Sequence, residues 1–310
     1  MIKTGKSTSI KNFLFKLCAC VILLLTIDFA GGKMLKKFYF MQESGYDYLT
    51  TYSIERATPD ILILGSSRAV NIFNTGIVET QTGLSCYNAG RYGEPVFYHY
   101  AVLQAALKRY TPKMVILSFD AGNFNKGLEA YDRIAVLLPY YENHPEIRPI
   151  IALKSRYENI KLLSKIYPYN SLLLPIITGN SRYSKTKYIT QKGFIPIGKI
   201  FSGALQTYDY TKETSLDSTK IDIYRSFIKD CVAAHVQLHI VCPPYMIHAI
   251  GTDPSITEAK KIAAQYHVEF LDYSNDTAYT AHPLLFADYR HLNSTGVEVF
   301  TRSVIAKIHN

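Results

Sequence analysis

The sequence predicts an α/β fold: a three-layer α/β/α domain built on a parallel, doubly wound sheet of flavodoxin-like type, preceded by one transmembrane helix. Three observations predict it. Five short, nearly continuous apolar runs recur along the chain, the stretches between them are long enough for crossover helices, and a single long apolar segment lies near the N-terminus.

At 310 residues, with 48% hydrophobic and 19% charged side chains, the chain has the composition of an ordinary folded protein of one large or two small domains. The formal charge is +9, but much of the excess sits beside the apolar segment at Lys3, Lys6, Lys11, Lys16, Lys33, Lys36 and Lys37. Elsewhere bases and acids are interspersed, which argues against a nucleic-acid partner. The five cysteines show neither metal nor disulfide spacing and read as free thiols.

Residues 1–11 form a basic tail expected to stay in the cytoplasm. Residues 12–32, NFLFKLCACVILLLTIDFAGG, form a signal-anchor long enough to span a bilayer if Lys16 snorkels, which sends everything after Lys33 to the far side. A cleaved signal peptide is the competing reading, because Ala30-Gly31-Gly32 supplies small residues after a short apolar core. Asp28 falls at the water interface and is assigned no role. A Tyr-rich linker over 33–57 leads to the domain at 58–310.

Asp60-Ile61-Leu62-Ile63-Leu64-Gly65 reads as a strand buried on both faces, and similar runs follow at 84–87, 114–118, 238–242 and 268–271. Tyr224, Phe227, Ile228 and Cys231 recur at helical spacing, as do Val297, Phe300, Val304 and Ile308 in the last helix. The stretch from about 125 to 217 breaks the alternation and reads as an insertion after the third strand. In a doubly wound sheet such an insertion lies over or beside the ligand site.

No zinc spacing, phosphate-cradling loop or complete dinucleotide fingerprint occurs, so no cofactor and no metal is expected. Four segments carry candidate chemistry. Gly65-Ser66-Ser67-Arg68 follows the first strand, where either serine serves equally well as a helix cap. Asp288-Tyr289-Arg290-His291 precedes the last helix, its Asp and His three residues apart. A serine hydroxyl needs an imidazole to accept its proton, and that imidazole needs a carboxylate to fix its tautomer. Asn88-Ala89-Gly90-Arg91-Tyr92-Gly93 follows the second strand and Asp120-Ala121-Gly122-Asn123 the third. Each suits either an oxyanion contact or a plain turn.

Taken together, a serine after strand one, Asn-x-Gly-x-x-Gly after strand two, Asn after strand three and Asp-x-x-His before the last helix resemble the SGNH (GDSL-like) hydrolase superfamily over roughly residues 58–308, the insertion excluded. The resemblance implies Ser67 as nucleophile, Asp288 and His291 as the rest of its triad, and Gly93 and Asn123 in the oxyanion hole. Ser66 stands where the family usually has Asp, Leu292 where Pro often follows His, and one extra residue precedes Asn123. A slipped register there would put Asp120 or Asn125 in its place, and Ser66 is the lesser alternative nucleophile.

The chain looks most similar to membrane-tethered members that move acyl groups onto bacterial envelope polysaccharides. That implies an esterase or O-acyltransferase in the inner membrane with its catalytic domain in the periplasm. Its partners would be an acylated glycan or acyl donor, the membrane, and other envelope acylation proteins. Arg68 and Arg91 fall at the same sheet edge, as cations for an anionic polymer or as solvated surface charges. The alternative function is a non-catalytic, membrane-tethered glycan-binding or assembly protein on the same fold.

Overall fold

The computed structural model describes residues 5–181, 192–212 and 215–309. Among them seven strands follow in chain order: β1 (Ile61–Leu64), β2 (Cys86–Asn88), β3 (Met114–Ser118), β4 (Gln206–Asp209), β5 (Gln237–Cys242), β6 (Ile247–Ile250) and β7 (Glu269–Asp272). Five form the central sheet in the order β2-β1-β3-β5-β7, every neighbouring pair parallel. These are the five apolar runs of the sequence, displaced by no more than two residues at either end. The separate parallel pair β4–β6 was not expected, because β4 is mostly exposed, β6 alternates between half-buried and exposed, and neither carries a long apolar run.

The main helices are α1 (Gly5–Phe40), α2 (Gly45–Glu55), α3 (Ser67–Ile72), α4 (Thr75–Thr82), α5 (Val96–Arg109), α6 (Ser218–Ala233), α7 (Pro254–Gln265) and α8 (Ser294–Ile308). Helices α5, α6 and α7 cover one face of the sheet and α3, α4 and α8 the other, and the strands show why. Leu62, Leu64, Val115, Leu117, Leu238 and Ile240 enter one core with Phe97 of α5, Phe227 of α6 and Ile262 of α7. Their neighbours Ile61, Ile63, Met114, Ile116 and Val241 enter a second core with Ile72 of α3, Val78 of α4 and Phe300 of α8. Successive strand residues point to opposite faces, so a strand apolar at every position needs a helical layer on each side.

The chain passes from β1 to the edge strand β2 and then back across β1 to β3. The strand order therefore reverses at β1, and the crevice beyond the carboxyl ends of β1 and β3 is the switch point where ligands bind in such sheets.

Two expectations about the organisation need correction. Residues 33–57 are not a linker: α1 continues to Phe40, and α2 packs its Asp47, Thr50, Thr51, Ser53 and Ile54 into the domain. A Tyr- and Thr-rich composition reads as loop, but these hydroxyls are consumed internally. Tyr140 bonds both Tyr39 (3.1 Å) and Thr51 (2.7 Å), and Arg91 bonds Asp47 (2.9 Å). The segment 125–217 carries short helical turns and β4 in place of a regular βα alternation. Its described residues line the crevice beyond β1 and β3 and also pack against α1.

Residues 9–27 of α1 are exposed throughout, and the stretch Ser9–Phe40 has mean hydropathy 2.3 in its most apolar window. Among the described residues it is the one helix long and apolar enough to cross a membrane, a property that anchors and signal sequences share.

Candidate active site

Gly65 ends β1 with φ +149, and a Cβ there would lie 2.7 Å from the Cβ of Ser118 and 2.8 Å from that of Ala69. Only glycine lets the chain leave the sheet between the end of β3 and α3. The two serines that follow divide the alternatives between them. Ser66 is the N-cap of α3, its Oγ accepting from the Arg68 N–H at 3.3 Å and donating to the Asp120 carboxylate beyond β3. Ser67 is the first helical residue, half-buried, with its Oγ 2.9 Å from His291 Nε2.

The other face of that imidazole meets the expected acid. His291 Nδ1 lies 3.0 Å from Asp288 Oδ1 and 3.1 Å from Oδ2. The loop that carries both residues is closed on itself. The N–H groups of Arg290 and His291 donate to Asp288 Oδ1 at 2.8 and 2.9 Å, and Ala287 N donates to His291 O at 2.8 Å. Asn293 locks it to α8. Its Oδ1 accepts from Gly296 N at 3.1 Å, and its Nδ2 donates to the carbonyls of Leu284 (2.7 Å) and Phe286 (3.2 Å). Tight spacing of Asp and His thus follows from local backbone bonds, independent of the distant serine.

Electrostatics favour a neutral, proton-accepting imidazole. Burial lowers the pKa of His291; Asp288 pulls it back up, while the positive charges of Arg68 and Arg290 push it further down, and the net direction is down. Burial works against ionising Asp288, but the Arg290 N–H and the interactions with the His291 ring and backbone N–H outweigh it and hold the carboxyl below its ordinary value. With Asp288 ionised, Nδ1 carries the proton and Nε2 is left to accept from Ser67.

Ser67 and His291 open onto a cleft of about 490 Å³ that Gly93, Asn123, Asp120 and Asn125 also line. As the first residue of α3, Ser67 has a backbone N–H without an intrahelical acceptor. Gly93 adopts φ +71, and a Cβ there would lie 2.8 Å from Arg133 Nη1, a side chain supplied by the insertion. Asn123 is half-buried at the cleft wall. Of the alternatives for its position, Asp120 is engaged by Ser66. Asn125 is tied sideways, its Oδ1 accepting from Ser255 Oγ at 3.4 Å and its side chain lying against Gly122.

Arg68 and Arg91 are the candidates the structure takes away from the cleft. Arg68 is fully buried, its Nη2 donating to the carbonyls of Pro243 and Pro244 (2.8 Å to the second), its guanidinium 3.5 Å from the centre of the Tyr245 ring and its Nη1 3.8 Å from Asp120. Arg91 binds Asp47, Thr50 and the Tyr46 carbonyl, and so fastens α2 to the domain. Both satisfy internal acceptors and neither is a solvated cation at the sheet edge. The basic side chains that do line the cleft are Arg133, Lys220 and Arg290.

Glu94 is a cleft residue that sequence reasoning missed, since a lone Glu after a turn carries no pattern. It is 8% exposed, its Oε2 has no hydrogen-bond partner among the described residues, and burial pushes its pKa up to about 7 against the pull of Arg91 and Arg133.

Among solved structures, the chain is similar to one described as that of a "putative acylhydrolase" from Bacteroides fragilis. The match covers 84% of this chain and 95% of that one, at 14% identity and a TM-score of 0.41. No family model matches the chain, and no curated protein matches it.

Proposed function

We propose that the protein is a serine acyl esterase or O-acyltransferase of the SGNH type, using Ser67, His291 and Asp288. One observation carries the reading: a hydroxyl 2.9 Å from one nitrogen of an imidazole whose other nitrogen lies 3.0 Å from a carboxylate, at the edge of an open cleft. Three residues so arranged have the geometry of nucleophile, base and orienting acid.

In the proposed reaction His291 Nε2 takes the Ser67 proton as Oγ bonds to an ester carbonyl carbon. The resulting oxyanion is held by the backbone N–H groups of Ser67 and Gly93 and by the Asn123 side chain, a type of contact worth roughly 3 kcal/mol per donor. The intermediate collapses, the alcohol leaves with the proton from His291, and the acyl group stays on Ser67. A second hydroxyl then gives its proton to His291 Nε2 and takes the acyl group, and as the acyl–Oγ bond breaks His291 returns that proton to Ser67. Water as acceptor makes the protein an esterase; a sugar hydroxyl makes it a transferase.

We assign the acceptor to cell-envelope glycans on the resemblance of the site blocks to membrane-tethered members of that superfamily. With α1 as a single-pass anchor in the inner membrane, the basic residues preceding it favour a periplasmic domain. Partner proteins of an envelope acylation system belong to the same reading.

A fluorophosphonate probe tests the chemistry. Labelling of Ser67 that disappears in Ser67→Ala and His291→Ala is the expected result. A folded protein that binds glycan but never labels would replace this reading with the non-catalytic one.

A further inference from the structure

We propose that the insertion forms an apolar collar seated in the membrane–water interface on the domain's side of the anchoring bilayer, and that α1 is a permanent, rigidly docked part of the domain. The proposal rests on α1 being membrane-embedded. The contact surface consists of Ile160, Leu163, Leu173, Leu174 and Ile177, each at least half exposed, with Leu163 at 75% and Leu174 at 70% the most exposed.

Asp28 sets the height of this surface. Its carboxylate accepts from the Ser164 hydroxyl and from the backbone N–H groups of Lys165 (2.8 Å) and Ile166 (3.2 Å), capping the turn that follows at Tyr167–Tyr169. The stretch 12–27 between Lys11 and Asp28 is exposed, and at ~1.5 Å per residue it rises about 24 Å, most of the ~30 Å of a bilayer's hydrocarbon core, with Lys16 snorkelling toward the cytoplasmic side. Asp28 therefore ends the span, and the segment hydrogen-bonded to it lies at the same level. Large apolar side chains exposed at that depth meet the boundary between acyl chains and headgroups, where their burial is favourable.

The docking also accounts for the small residues that mimic a signal-peptidase site. A Cβ on Gly32 would lie 2.4 Å from the backbone of Lys165, and one on Gly31 would lie 3.0 Å from Ile166 Cδ1. Their smallness lets α1 approach the insertion. Farther on, Asn180 Nδ2 donates to Phe38 O at 2.9 Å and Glu43 N to Gly179 O at 3.3 Å, extending the same seam. Cleavage beside Ala30 would remove Asp28 and leave three donors of the insertion without their acceptor. With no flexible linker between span and domain, the cleft keeps one fixed orientation relative to the bilayer.

The chain contains no tryptophan, so single substitutions give a clean fluorescence reporter. Full-length Leu163→Trp and Leu174→Trp, reconstituted in vesicles whose lipids are brominated near the headgroup end of the acyl chains, should lose emission. Val299→Trp, 47% exposed on α8, should not. Leu24→Trp, in α1, should be quenched most by lipids brominated near the bilayer centre. If Leu24→Trp is quenched while the two collar tryptophans behave like Val299→Trp, the collar is refuted and the anchor stands. If Leu24→Trp is also unquenched, the anchor reading itself has failed and the collar with it. A collar emission that is blue-shifted without bromine quenching, and reverts at one protein per lipid nanodisc, assigns the surface to a second copy of the chain and overturns the proposal. N-terminal sequencing that begins after Gly32 overturns the permanent anchor.

Discussion

Ser66 donates its hydroxyl to the carboxylate of Asp120, so the residue next to the proposed nucleophile ties the carboxyl end of β1 to that of β3. The bond leaves the neighbouring Ser67 hydroxyl to His291. Ser67→Ala should abolish turnover, whereas Ser66→Ala should keep it and cost about 1 kcal/mol of stability through the lost cap. Esterase rates on a chromogenic acyl ester, paired with urea unfolding, separate the two. Equal loss of activity in a folded Ser66→Ala would move the nucleophile.

The acid limb of the kcat/KM profile should lie below the ordinary histidine value of about 6.5. Burial, Arg68 and Arg290 lower the His291 pKa, and the neutral base form therefore persists as pH falls past that value. Arg290→Gln removes one positive charge and should shift the limb toward higher pH. A limb that stays put in this variant would detach Arg290 from the base.

Arg68→Met should be destabilised by about 3–5 kcal/mol, because it removes the donor to the Pro243 and Pro244 carbonyls and leaves the Asp120 carboxylate without its nearby cation. Arg68→Lys should rescue only part, since an ammonium lacks the planar fork that faces Tyr245. Denaturant midpoints for the three proteins check the order.

Glu94 binds its proton more tightly in the folded chain, at about pH 7, than an ordinary carboxyl at about 4.3 does in the unfolded one. The native state thus holds an extra proton between those values, and stability falls as pH rises through that window. Glu94→Gln cannot ionise and should gain on wild type by up to about 3 kcal/mol as pH passes from 4 to 8. Parallel pH dependence of the two proteins would contradict the buried, protonated state.

The parts of the fold legible in sequence are those specified by neighbours along the chain. Ile61-Leu62-Ile63-Leu64 is apolar at every position because both its faces are covered, and Phe227 and Phe300 stand at helical spacing because each helix buries one stripe. The meeting of Asp288 and His291 was legible for the same reason, as three residues of tight turn bring them together. Arg68, Arg91 and Glu94 were not. A charged residue is exposed by default, and the acceptors that allow burial of Arg68 stand 175 and 176 positions away. The helical packing of residues 33–57 was hidden likewise, because its hydroxyls bond to Tyr98 and Tyr140, far along the chain.

The sequence by itself determined the layered α/β architecture, the place of the apolar span and the compact Asp-x-x-His turn, because each follows from periodicity or backbone bonding over a few residues. The tertiary structure decided which serine meets the imidazole across 224 positions, which arginines are structural, and what Asp28 holds. Those outcomes depend on strand order and helix docking, which bring groups together that share no local pattern.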